Sequence, residues 1–402
     1  MLTQKRELRA GQPLWLARKP ARLATRQALA GVRADVVVVG TGISGALVAD
    51  ALVNAGFSVV AVDRRQPMSG STPASTALLQ FELDTPLVEL GRKIGVSQAV
   101  RAWWRSAQAV QALRDRIEDL GLNCAFRPRT TLLLPGNVLG IAGLKREADE
   151  RRKSGLRSVF IDRKRLKQLS GINKAGAILS AGNGEADPAR LVAGLWRNFL
   201  KQGGTMVANV EVTDFDQSRS SVRIETADGP SITAKHAVFC TGYELMKRAT
   251  PKGYKVVSTW VLATKPQPRR LWPGRSLIWE AADPYLYLRT TADGRIIAGG
   301  EDEPFSDEAL RDTLIPRKIA AISRKAARLF PQADFEADYA WAGSFGESPT
   351  GLPAIGPIVG LSRCYAVLGF GGNGITFSML AAQLVSRHIQ GITDPDAELF
   401  AL

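Results

Sequence analysis

The sequence predicts an α/β protein in which a unit built on a parallel sheet is interrupted twice by antiparallel α+β material. Three observations predict it. Four consecutive valines, Val36 to Val39, run into a glycine loop, and a helical segment and a second apolar strand follow. Alternating apolar and polar residues over 255–300 read as an antiparallel sheet. The chain then returns to strand, glycine loop and helix over 365–389.

The first loop has the spacing G-x-G-x-x-G at Gly40, Gly42 and Gly45. Gly40 permits the tight turn, Gly42 lets backbone approach a pyrophosphate, and Gly45 lets the helix pack on the strand. The N–H groups of Ile43 and Ser44 then point at phosphate charge. After a helix over 46–55 and a turn at Gly56, a buried strand over 57–63 ends in Asp63. That carboxylate lies at the distance expected of a ribose hydroxyl partner. The pattern is that of a dinucleotide-binding βαβ unit.

Composition narrows the rest. A chain of 402 residues, 45% of them apolar, exceeds one simple core. No segment offers about 18 uninterrupted apolar residues, so no membrane span is expected. Cys124, Cys240 and Cys364 are widely separated and give no metal spacing or disulfide framework, which points to a reducing, cytoplasmic setting. With only His236 and His388, a histidine-based metal site or catalytic triad is not expected, and no metal is assigned. The net charge is +15. Residues 1–34 form a basic arm carrying Lys5, Arg6, Arg9, Arg18, Lys19, Arg22, Arg26 and Arg33 against Glu7 alone. The arm reads either as a solvated wrap anchored by Leu14, Trp15 and Leu16, or as a contact for an acidic surface, membrane or RNA.

Further along, the small polar stretch 70–76 places Ser71, Thr72 and Ser75 at a helix start. Helical spacing runs over 86–120, with Trp103 and Trp104 read as core. Asp187-Pro188 caps a helix ending near Gly203. Short strands follow over 206–212, 221–226 and 231–233, and a buried strand over 237–240 closes on Thr241 and Gly242. Helices are expected near 316–329 and 376–389.

This order of motifs resembles the FAD-dependent D-amino-acid oxidase, glycine oxidase and sarcosine oxidase family over everything after about Asp35. The patches are 40–45 with Asp63 and Arg64, the Ser/Thr loop 70–76, Glu185-Ala-Asp-Pro188 and Phe239-Cys-Thr-Gly242. To these add 341–356 and the loop Gly371, Gly372, Asn373, Gly374. The resemblance implies a Rossmann-like FAD-binding domain (GR2-type) with an interleaved antiparallel-sheet α+β substrate domain. It assigns 35–85, 182–250 and 340–402 to the FAD domain, and 86–181 and 251–339 to the substrate domain. It also implies that Asp63 meets the adenosine ribose and backbone at Val212 meets the adenine. Ser71, Thr72 and Ser75 would lie along the pyrophosphate or flavin edge, Gly242 close to the dinucleotide, and 371–374 with Ile375 beside the isoalloxazine ring. A helix N-terminus there would stabilise negative charge on reduced flavin.

The departures matter as much. Relatives acting on free amino acids carry an arginine after the Trp-Ala-Gly segment to clamp the carboxylate. Here Phe345 stands in that stretch. No histidine lies near the Ser/Thr loop, so FAD is expected to be non-covalent. In Tyr285-Leu-Tyr287-Leu-Arg289 the tyrosines and arginine share one strand face, either over the flavin or turned to solvent. Trp279 with Glu280, and Glu301, Asp302 and Glu303, are further candidates. The activity so implied is oxidation of a C–N bond in an amine or amino acid, by hydride transfer to flavin N5 and hydrolysis of the imine. Oxygen or a quinone-type acceptor would reoxidise the flavin. The rival readings are a flavoprotein modifying tRNA aminomethyl-uridine, a quinone-reducing dehydrogenase peripheral to the membrane, a nicotinamide-dependent dehydrogenase, and a non-catalytic flavin binder.

Overall fold

The computed structural model describes residues 2–17, 23–26, 32–227, 229–368 and 370–402. Arg18, Lys19 and Arg22 of the basic arm lie outside the described residues.

Two sheets organise the molecule. The parallel one runs in the order Leu361–Leu368, Gly229–Phe239, Arg33–Val39, Val59–Asp63, Thr205–Ala208, with Ala354–Ile358 added antiparallel at one edge. Val36, Val37 and Val38 are wholly buried because helices cover one face and a second apolar layer the other, the condition under which an uninterrupted valine run is stable. Ile43–Asn54, Pro188–Lys201 and Gly374–Ile389 pack on that sheet in one core with Val96–Asp119. The C-terminal ends of the three central strands carry Gly40, Asp63 and Cys240, and so share one edge of the sheet.

The larger sheet is mostly antiparallel and has Ala337–Glu347 beside Lys255–Thr264, then Ile296–Glu303, Leu286–Thr290 and Leu277–Ala281. Arg127–Pro135 and Gly176–Glu185 continue it. One face buries Leu286, Leu288, Trp260 and Ala298 against the helix Ile315–Leu329. The other face carries Val261, Ala263, Ile297 and Trp341, packed against Leu14, Trp15 and Ala74.

Several elements differ in detail from the sequence reading. The helical stretch 86–120 is two helices, Leu87–Ile94 and Val96–Asp119, broken at Gly95 with φ 93°. Trp103 is fully buried, whereas Trp104 stays 40% exposed and donates Nε1–H to the Ser154 carbonyl. The stretch 70–76 makes a single 3-10 turn, Thr72–Ala74, because Pro73 starts a turn that Ser75, in extended conformation, ends. Residues 340–347 belong to the antiparallel sheet, where their backbone pairs along its whole length with Lys255–Thr264. Their Ala/Gly content hides the alternation by which a strand is read. The arm also adds a strand, Arg9–Gly11, to that sheet's edge.

A buried carboxylate ties the helical layer together. Asp50 accepts from Arg116 Nε at 2.7 Å and Nη2 at 3.0 Å, and from Asn198 Nδ2 at 2.8 Å. Asp50→Ala strands a largely buried guanidinium, and we expect a loss of about 3 kcal/mol in urea unfolding. A change under 1 kcal/mol would show that the three helices do not depend on this joint.

Candidate active site

A groove opens at the C-terminal edge of the parallel sheet. Gly40, Gly42, Asp63, Arg64, Ser71, Thr72, Val212, Thr241 and Gly242 line it together, from five separate segments of the chain. Two glycines of its turn admit no side chain. A Cβ on Gly40, where φ is +111°, would stand 2.2 Å from the Cys240 carbonyl oxygen, and one on Gly45 would stand 1.9 Å from that of Gly40. Thr72 Oγ1 accepts the Ile43 N–H at 3.0 Å and caps the helix. Ser44 is turned away, sharing a 2.8 Å hydrogen bond with Ser378 in the C-terminal helix.

Asp63 accepts from Thr41 N at 2.7 Å, Thr41 Oγ1 at 2.8 Å and Arg65 N at 2.9 Å. Burial pushes its carboxyl above the ordinary value, and these donors oppose the shift. Arg64 Nη1 and Thr241 Oγ1 are buried without hydrogen-bond partners. A groove with close-approach glycines, a carboxylate and unspent polar atoms fits a dinucleotide.

The loop 70–77 forms one wall and is held unusually firmly. Four consecutive carbonyls are taken by side chains: Ala74 by Trp341 Nε1 at 2.9 Å, Ser75 by Trp15 Nε1 at 2.7 Å, and Thr76 and Ala77 by Arg289 Nη1, each at 2.9 Å. Ser75 Oγ accepts from Ala77 N at 3.1 Å and so shapes the loop itself. Arg289 also donates to the Ala186 and Thr290 carbonyls and lies 3.7 Å from Glu185, at 3% exposure. The tyrosines of its strand stand on the same side, Tyr287 packed with Trp15, Ala74 and Trp341. Their rings are 5.7 Å apart on the sheet face opposite the buried Leu286 and Leu288, and the Tyr287 hydroxyl stands where a Cβ on Gly299 would be. Arg289 therefore anchors the loop, while Tyr287 packs against it and Tyr285 meets Asp302.

Across from them lies the loop 371–374. Gly372 N donates to Asp84 Oδ2 at 2.7 Å, and a Cβ on Gly371 would fall 2.4 Å from that oxygen. Asn373 Nδ2 donates to the Glu82 carbonyl at 2.5 Å, and Thr376 Oγ1 to that of Gln80 at 3.0 Å. Ile375 is buried behind the loop. Phe345 is half-buried on the neighbouring sheet, paired in register with Val257.

Three carboxyl groups gather here, and the sequence reading caught only Asp302. A β-bulge explains that residue: between Gly300 and Glu303 the strand carries one more residue than its partner, with Glu301 at φ 59°. Glu301 and Glu303 turn to Lys318 and Lys325 of the covering helix, and Asp302 turns the opposite way, towards Tyr285 and Thr259. Its oxygens are buried with no hydrogen bond of ordinary geometry. Burial pushes its carboxyl up to about 7; the Thr259 and Tyr285 hydroxyls oppose this, and Glu347 and Asp84 add to it. Burial also raises Asp84, and partial burial with the Asp84 charge raises Glu347. Asp84 was signalled in the sequence by polar residues at alternate positions, Gln80, Glu82 and Asp84, inside an otherwise apolar segment. The other candidates lie elsewhere: Glu280 pairs with Lys174 at 2.7 Å, and Trp279 packs beside Leu133 and Ile178. Among the described residues no cluster of histidine, cysteine and carboxylate could hold a metal.

A family model described as FAD dependent oxidoreductase (DAO) matches residues 35–388. The chain belongs to the DAO family. It is 25% identical to gamma-glutamylputrescine oxidoreductase of Escherichia coli strain K12 over 385 residues, covering 92% of this chain and 85% of that protein. Glycine oxidase from Geobacillus kaustophilus superposes with a TM-score of 0.75 at 20% identity, covering 92% of this chain and 98% of the other. L-amino acid deaminase from Proteus vulgaris gives 0.77 at 16% identity, with 95% and 99% covered. As a DAO-family member the protein is an FAD-dependent oxidoreductase, and no described helix is long and apolar enough to cross a membrane.

Arg289→Met removes every donor to the Thr76 and Ala77 carbonyls and leaves Glu185 with one cation fewer. We expect a loss of about 3–5 kcal/mol in chemical unfolding, together with release of flavin. A variant that keeps wild-type stability and flavin would remove Arg289 from this role.

Proposed function

We propose that this protein oxidises the C–N bond of an amine that arrives as a cation, with non-covalent FAD as the oxidant. The observation that carries the reading is the Asp302 carboxylate, buried on the tyrosine face beside the Tyr285 and Thr259 hydroxyls, where the arginine of that strand, Arg289, is already spent on backbone carbonyls and Glu185. A carboxylate substrate placed there would meet like charge, while an ammonium would find Asp302. Phe345, on the stretch where the family resemblance leads one to look for an arginine, supports the same choice.

In the FAD groove, Asp63 would face the ribose and backbone at Val212 the adenine, while Ser71, Thr72 and Gly242 would follow the pyrophosphate. FAD held there would supply the two-electron oxidant, with hydride passing from the carbon bearing nitrogen to N5, and hydrolysis of the imine so formed would give a carbonyl compound and the released amine or ammonia. The chain's own part is positioning and proton handling. Asp302 binds the ammonium and takes its proton on a carboxylate oxygen, a task suited to a carboxyl titrating near 7. Tyr285 and Tyr287, whose phenols burial drives well above the ordinary range, stay neutral and confine the substrate. Two basic residues of the arm, Arg6 and Arg9, turn into the fold, while Lys5, Arg26 and Arg33 are exposed. Arg6 Nη1 donates to the Ser306 carbonyl and Arg9 Nε to that of Gly70.

Anaerobic mixing with panels of amines and of D-, L- and N-methyl amino acids tests the substrate class. Bleaching of the flavin band by cationic amines alone is expected; bleaching by amino acids alone would sink the proposal. Admission of air then separates an oxidase from a dehydrogenase using another acceptor.

The pH profile carries its own sign. Asp302 is ionised above about 7, so kcat/KM for a cationic amine rises as pH passes upward through that value and is lost below it. Asp302→Asn lowers kcat/KM by about a hundredfold and removes this limb. A variant retaining the limb would assign it to another group.

A further inference from the structure

The basic arm is read in the sequence as a wrap or as a docking segment, and the geometry gives it a more specific place. Leu2, Thr3 and Leu8 line the same groove as Gly40, Asp63 and Thr241. Thr3 and Leu8 are 4% and 6% exposed, so they are interior residues of the folded chain. The segment lies outside residues 35–388, the extent of the family match.

Its attachments reach both sheets. On the nucleotide side, Thr3 Oγ1 accepts from Arg64 Nη2 at 2.6 Å, Arg6 N donates to Glu244 Oε1 at 2.7 Å, and the Arg6 carbonyl accepts from Arg65 Nη2 at 2.7 Å. On the antiparallel side, Ser344 N donates to the Leu8 carbonyl at 3.0 Å, and Gln12 N to that of Ala340 at 2.8 Å. Arg311 Nη1 donates to the Glu7 carbonyl at 2.8 Å. The segment therefore bridges the two sheets across the mouth of the groove and presents its apolar side chains inward. A cofactor beneath it would lose solvent contact on that side, and could leave only after these bonds part.

We propose that residues 2–8 are a strap that forms the outer wall of the FAD nucleotide site and sets the rate at which FAD is released. This rests on reading the groove as the FAD site. Because the strap and the cofactor share one wall, each stabilises the other's bound position by the same free energy.

Two measurements on the full-length protein test it. Trypsin cleavage after Lys5, Arg6 and Arg9 should be at least about tenfold slower with FAD bound than after FAD has been stripped, because cleavage tracks the population of the opened segment. Release of FAD on dilution, followed by the rise in flavin fluorescence, should be at least about tenfold faster in Leu8→Asp, which puts a charge on the buried wall. Thr3→Ala, which removes one hydrogen bond, should speed release several-fold and serves if Leu8→Asp does not fold. Equal cleavage with and without FAD, or release unchanged in the folded variants, overturns the strap while leaving the cofactor assignment standing. A protein that binds no flavin at all overturns the cofactor assignment itself.

Discussion

Four backbone carbonyls in a row, from Ala74 to Ala77, are each claimed by a side chain from elsewhere in the chain, and the placement of the site depends on that arrangement. A loop at a sheet edge normally gives such groups to water. Here Trp341 and Arg289 come from the antiparallel sheet and Trp15 from the arm, so the loop is fastened to the face it must confront. One wall of the dinucleotide groove thus belongs mechanically to the other sheet. Burying the guanidinium costs desolvation, which lowers the pKa of Arg289; the carbonyl contacts and Glu185 offset that cost.

The carboxylates set against the tyrosines stand out in a chain of net charge +15. Most of the positive excess is on the surface, where water and salt screen it, whereas Asp84 and Asp302 are buried and felt at short range. Local chemistry at the site therefore runs opposite to the overall charge. The bulge at Glu301 produces this with a single extra residue. It sends two acids to lysines on the covering helix and one to the opposite face.

Legibility in the sequence follows the range of the interaction. The glycine loop and Asp63 were readable because turn, strand and carboxylate lie within one local unit whose backbone needs are fixed by sterics. The tyrosine face was readable because strand alternation needs only neighbouring residues. Arg289 satisfies the same alternation, yet its partners at 76, 77 and 186 are distant in sequence, so no periodicity distinguishes a substrate clamp from a loop anchor. Asp302 is the reverse case: it sits in an acidic triplet that looks solvent-facing, and only the extra residue in the strand turns it inward. The arm's role was hidden for the same reason, since Leu2, Thr3 and Leu8 acquire meaning only from a groove formed by residues far along the chain.

The loop 371–374 shows how a buried acid modifies a helix end. The helix Gly374–Ile389 was expected to offer a positive N-terminus, and its preceding loop does present backbone donors. One of these, Gly372 N–H, is already given to Asp84. An ionised carboxylate at that point would offset the roughly half-unit positive charge of the helix end, while a protonated one would leave it largely intact. Burial favours the protonated form, and only the Gly372 N–H opposes it. The polarity of the loop 371–374 therefore depends on Asp84 as well as on the helix. The same carboxyl, when ionised, raises the proton affinity of Asp302.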